Sequence, residues 1–154
     1  MTEDSPIVEL IAQDLLATVN GVTEANGYLQ TLTAVRPKRV NAEADITGDL
    51  CVLIEQDDPE QVGVNGNVQE WRQTFAVQAF VIDSDAATVA IDTRINFVLA
   101  DLLKAIMADH TRGGYAIRQE IGDIDRFIYA GYSGVAVSLE VHYRTTYGDP
   151  YTQQ

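Results

Sequence analysis

The sequence predicts one α+β domain, a mainly antiparallel mixed β-sheet with two helices packed on it, in the order α-β-β-β-α-β-β. Three observations predict it. Apolar residues recur at helical spacing in two separated stretches, and between and after those stretches the period falls to two. No internal repeat, low-complexity tract or linker divides residues 1–154. Apolar residues make up 46% of the chain, and a chain of this length hides about 70% of its unfolded surface, so one core suffices.

The first helix is expected from Pro6 to Thr18. Ser5 offers a hydroxyl cap and Pro6 suits the first helical position, where its missing N–H costs nothing. Ile7, Leu10, Ile11, Leu15 and Val19 form its stripe, and Asn20-Gly21 ends it. From Tyr28 to Val35 the alternation of period two predicts a strand that stops before Pro37. A second strand covers Leu50 to Gln56. Residues 57–69 carry Pro59, Gly63 and the turn pair Asn65-Gly66, which predicts a long acidic hairpin loop. The third strand, Trp71 to Ile82, presents Trp71, Phe75, Val77, Ala79 and Val81 on one face. At about 3.3 Å per residue it is long enough to project beyond a compact sheet.

Asp83-Ser84-Asp85 stops that strand and offers caps to a second helix near residues 88–109. Its stripe of Ile91, Ile95, Val98, Leu99, Leu102, Leu103 and Ile106 is the clearest periodic pattern in the chain. Two strands close the domain, Tyr115 to Tyr129 with an interruption at Gly122-Asp123, and Val135 to Tyr147. In the last, Val135, Val137, Leu139, Val141 and Tyr143 face one way, and Ser138, Glu140, His142 and Arg144 the other. Residues 148–154 are expected to turn at Asp149-Pro150 and leave a flexible tail or partner-binding hook.

Charge narrows the function. With 23 acidic against 10 basic residues the formal net charge is −13, which repels a phosphate backbone and argues against sequence-reading of DNA or RNA. The one basic cluster, Arg36, Lys38 and Arg39, is short enough to be a solvated turn. Cys51, the single cysteine, lies inside Leu50–Ile54 and reads as a small buried hydrophobe, so neither a disulfide nor a cysteine-based zinc site is expected within the chain. The acidic start Met1-Thr2-Glu3-Asp4 lacks the basic opening of a secretory signal, and no apolar run approaches the roughly 20 residues that cross a bilayer. Assembly in the cytosol, without a membrane, is the expectation.

No catalytic, metal-ligating or cofactor-binding constellation emerges. Gly131-Tyr132-Ser133-Gly134 is one residue short of a nucleophile elbow and leads into a strand rather than a helix. His110 reads as a cation at the end of the second helix, and His142 lies mid-strand without the spacing of a zinc site. Asp57, Asp58 and Glu60, like Asp123 and Asp125, lack the alternation of a calcium loop. No glycine-rich phosphate cradle is present, and no cofactor is expected.

The C-terminus is more particular. Val135 to Tyr147, with Tyr143-Arg144-Thr145, is followed by Gly148-Asp149-Pro150-Tyr151, and this resembles the closing strand of the tail terminator proteins of long-tailed bacteriophages. The resemblance extends loosely over the chain, through the first helix, the hairpin with its long loop and the helix near residues 88–109. It implies a non-enzymatic virion protein, made in the host bacterial cytoplasm and carried in the tail or neck. Such a protein forms a homo-oligomeric ring, typically a hexamer, that caps the tail tube, stops its polymerisation and provides the head-joining surface. Its partners are the tail-tube protein and head–tail connector or neck proteins, and DNA passes through without specific binding.

Within that reading Asp57, Asp58 and Glu60 are candidates for a channel-lining or tail-facing loop, a merely solvated loop being the alternative. Trp71, Arg72, Arg144, Tyr147 and Asp149 are candidates for a subunit interface. Trp71 is equally a core residue, and Arg144 can pair with Glu140 on its own strand face instead of a neighbour. A head-closure or neck protein is the alternative within virions. From another class, a small soluble ligand-binding or enzymatic α+β domain would need a closed apolar pocket around Ser133, His142 and a carboxylate.

Overall fold

The computed structural model describes residues 4–38, 45–84 and 88–154; Arg39 of the basic cluster and Asp85 of the predicted cap lie outside these. Helices α1 (Ile7–Asn20) and α2 (Ile91–Met107) pack on one face of a seven-stranded sheet. The strands are β1 (Ala34–Val35), β2 (Leu50–Gln56), β3 (Glu60–Asn65), β4 (Val68–Ile82), β5 (Arg118–Tyr129), β6 (Tyr132–Thr146) and β7 (Asp149–Gln153). The main path runs β1-β2-β4-β6-β5, with β3 beside the start of β4 and β7 beside the end of β6. Among the described residues only β1 and β2 pair in parallel. The domain is α+β, as its sequence predicts.

The central ribbon sets the shape. β4 and β6 pair without a break from Val68↔Thr146 to Ile82↔Tyr132, a ladder roughly 50 Å long at the usual rise per residue. β2 covers β4 only from Phe75 to Val81, and β5 covers β6 only from Tyr132 to His142. The rest of the ribbon projects with β3 on one flank and β7 on the other, forming a four-stranded arm. The projection expected of the third strand is therefore real, and it begins three residues earlier than the apolar alternation indicates.

Three expectations need correction. Residues 57–69 are not a loop: Glu60–Asn65 forms β3, and Val68 and Gln69 already belong to β4. This strand has no buried face, so its composition reads as loop, yet cross-strand polar contacts such as Gln69 Nε2 to Gln61 Oε1 at 2.8 Å hold it. Residues 148–154 are not a flexible tail, because Gly148, at φ 75°, turns the chain back and Asp149–Gln153 pairs with β6. Pro150 is tolerated there because β7 is an edge strand. The strand expected from Tyr28 shrinks to Ala34–Val35. The amides of Leu29 and Gln30 are instead taken by the buried carboxylate of Asp101 on α2, at 3.3 and 2.8 Å.

The core lies between the helices and the sheet. Ile11, Leu15 and Val19 of α1 and Val98, Leu102 and Ile106 of α2 cover Phe75, Val77, Val137, Leu139 and Val141, all buried. A smaller cluster sits on the opposite face near the β5–β6 hairpin, where Cys51, Leu53 and Phe80 are buried among Phe127, Tyr132, Val35 and Ile46. Cys51 is the packed thiol its apolar setting predicts. The ring of Phe80 meets Phe127, Tyr129 and Tyr132 edge-on, with centroids 5.0 to 6.2 Å away. Gly134 permits this, since a Cβ there would lie 2.3 Å from the Phe127 ring and 2.4 Å from the Ala79 carbonyl.

Candidate assembly surfaces

Every predicted interface residue falls on the arm or its root. Trp71 is half-buried, packs against the main core and donates from Nε1 to the Thr145 hydroxyl at 3.0 Å. Its neighbour Arg72 points to the uncovered face, because side chains alternate along a strand. Arg72 binds Glu60 at 2.5 Å and reaches Glu140 at 3.9 Å. Arg144 lies near Glu70 of the facing strand at 4.0 Å, so its nearest acid is a cross-strand partner and not Glu140. Tyr147 is 60% exposed at the turn. Asp149 opens β7 and accepts from the Tyr151 amide and the Thr152 hydroxyl, which hold its carboxyl below the ordinary range.

The acidic candidates sit at the corner where β2 hands over to β3. Asp57 and Asp58 are exposed, yet the backbone beneath them is fixed: the Asp57 amide donates to the Thr74 carbonyl at 3.1 Å. The fully buried Gln73 donates to the Asp57 carbonyl at 2.5 Å. Glu60 is the acid that ties β3 to Arg72. The structure thus brings Glu60 and Arg72 together, and separates Asp57 and Asp58 from any cation within salt-bridge distance among the described residues.

That separation reflects a wider pattern. Six arginines each have a carboxylate partner: Arg36 with Glu9, Arg72 with Glu60, Arg112 with Asp14, Arg118 with Glu120, Arg126 with Asp92 and Arg144 with Glu70. Arg94 donates to the Ile82 carbonyl, and Lys104 lies over the Tyr28 ring. The exposed pairs add little stability, but with the buried Arg112–Asp14 pair they match six of the nine lysines and arginines among the described residues with an acid. Among these residues Lys38 is exposed outside any ion pair, and so are the acids Asp57, Asp58, Asp123 and Asp125.

On the uncovered face at the root of the arm, Arg72, His142 and Arg118 stand side by side on β4, β6 and β5. His142 is 7% exposed and its Nδ1 has no hydrogen-bond partner. Further along the same face, Ala76, Gln78, Ala136 and Ser138 are half-buried.

One functional-looking group escaped the sequence. Arg112, fully buried, ties α1 to the end of α2: it donates to the Thr18 hydroxyl at 3.1 Å, the Ile106 carbonyl at 2.8 Å and the Asp109 carbonyl, and pairs with Asp14 at 3.2 Å. It is this cation, and not the exposed His110, that meets the open carbonyls at the helix C-terminus. Burial raises the Asp14 carboxyl against the pull of Arg112. Asp109 caps the turn through the amides of Gly113 and Thr111 and the Thr111 hydroxyl, which lower it to about 2.

Ser133 and His142 do not come together. They point to opposite faces of β6, and nine residues of strand put them about 30 Å apart. Ser133 instead donates to Asp83 at 3.0 Å at the far end of the sheet. Among the described residues no group of three or more His, Cys, Asp or Glu side chains is arranged to hold a metal, and no helix is long and apolar enough to cross a membrane. No protein-family model matches the sequence, and neither does any curated protein.

Proposed function

We propose that the chain is a structural subunit of tail-terminator type, one protomer of a ring of about six that caps a phage tail tube, stops its growth and presents the head-joining surface. The observation that carries this reading is the disposition of charge on a projecting fold. Six of the nine lysines and arginines among the described residues are paired with an acid inside the protomer, so a lumen built from such subunits offers few unpaired cations to a passing phosphate backbone. Six copies carry 6 × (−13) = −78 formal charges. The four-stranded arm supports the same reading, because a rigid projection reaches a neighbour or the end of a tube without unfolding the body. Capping is then a matter of fit: the ring binds the last tube ring better than another tube subunit does.

The test is electron microscopy of the purified chain mixed with assembled tail tubes, together with its mass in solution. A ring seated on one end of the tube is expected. Absence of binding at either end, with binding to isolated connector rings instead, transfers the reading to a head-closure or neck protein. Absence of both overturns the virion assignment.

A further inference from the structure

We propose that the outer edge of β5, from Ile124 to Tyr129, docks an extended segment of a different protein, one that alternates apolar side chains with lysine or arginine. The inference does not rest on the ring reading. β5 is the last strand of the sheet path, so one side of its backbone is open. Tyr129↔Tyr132 closes a two-residue hairpin turn and is therefore a hydrogen-bonded pair; by alternation Ile124, Arg126 and Ile128 turn their N–H and C=O groups away from β6. Past the bulge between Ile121 and Ile124 these pairs are regular, so the free groups line up as a strand template.

The side chains on this edge describe the occupant. On the helix-side face Ile128 is 83% and Ile124 42% exposed, and a groove beside Ile128 is walled by Ile91 and Ile95 of α2. Arg126, which lies between the two isoleucines, is folded back onto Asp92 and Asn96 of α2 at 2.7 and 2.5 Å and leaves the edge clear. On the opposite face Asp125, with Asp123 beside it at the bulge, has no cation within salt-bridge distance among the described residues. A bound strand therefore meets the two isoleucines on one face and, on the other, uncompensated acid at Asp123 and Asp125 followed by the rings of Phe127 and Tyr129. Apolar and basic residues in alternation satisfy both.

A second copy does not. Among the described residues β3 (Glu60–Asn65) has no lysine or arginine to offer Asp125, and the one cation of β5 past the bulge, Arg126, turns to the helix side onto Asp92, so neither strand of a second copy supplies the missing charge.

The experiment uses the full chain and a fluorescein-labelled peptide of alternating valine and lysine. Two control peptides carry glutamate in place of lysine, or N-methylated valines that remove the outward donors. Fluorescence anisotropy is expected to show micromolar binding of the lysine peptide, weakened at high salt, with neither control binding. Hydrogen exchange should slow at Ile124, Arg126 and Ile128. Ile128→Lys should abolish binding, and the pair Asp123→Asn and Asp125→Asn should weaken it about tenfold, as rim charges do. All three positions are exposed, and circular dichroism checks that the variants remain folded. Equal binding of the N-methylated peptide, equal binding of the glutamate peptide, no binding at all, or self-association in sedimentation that Ile128→Lys removes would each overturn the proposal.

Discussion

Arg112 illustrates how much one residue can carry. Its guanidinium is fully buried and its φ is 48°, a left-handed conformation that non-glycine side chains rarely adopt. Replacing it with methionine roughly keeps the volume but leaves Asp14 without its cation and the Asp109 carbonyl without its donor, while the Ile106 carbonyl keeps Gln119, so Arg112→Met should cost about 3–5 kcal/mol in chemical denaturation. Asp109 makes a separate, pH-dependent contribution. Its folded pKa of about 2 lies below the unfolded value near 3.9, so its capping stability is present above pH 4 and lost as pH falls toward 2. The melting temperature of Asp109→Asn should therefore lie below that of the parent chain at pH 6 and converge with it near pH 2. Neither role was legible in the sequence. Arg112 stands just past the second helix with no pattern around it, and only the fold brings Thr18, 94 positions away, under the guanidinium.

At the scale of elements, legibility followed burial. The stripes of α1 and α2 and the alternation in β4 and β6 were readable because each has one face in the core, and their limits were right to within a few residues. β3 and β7 were missed because nothing in them is buried, so no period of two distinguishes strand from loop; the turns at Gly66 and Gly148 were the only cue. The segment from Tyr28 to Thr33 was misread for the opposite reason, a buried acid on a distant helix having taken amides that a strand would use. This difference should be measurable. Replacing Asn65-Gly66 with two alanines strains a position at φ 61°, and hydrogen exchange across Glu60–Asn65 should accelerate. Phe75–Val81 should stay protected, with global stability falling by about 1 kcal/mol or less, because edge hairpins open below the global unfolding free energy.

For the whole molecule, the candidate surface was half legible. The sequence offered Trp71, Arg72, Arg144, Tyr147 and Asp149 as interface candidates without placing them together, and the arm and its root gather them. The sequence could not reveal that Arg144 lies beside Glu70, since that depends on register between strands some seventy positions apart, whereas the inward side of Trp71 follows from its alternation with Phe75 and Val77. The exposed β5 edge was also beyond it, because an edge is a property of the assembled sheet. The unbroken β4–β6 ladder has a mechanical corollary. A pull along the ribbon axis loads all fifteen rungs at once, in shear, whereas a sideways pull at the arm tip opens them singly from Val68 and Thr146. The protein is thus a stiff strut along one axis and a zipper across it, and any partner that grips the arm meets greatest resistance when it pulls in line with the strands.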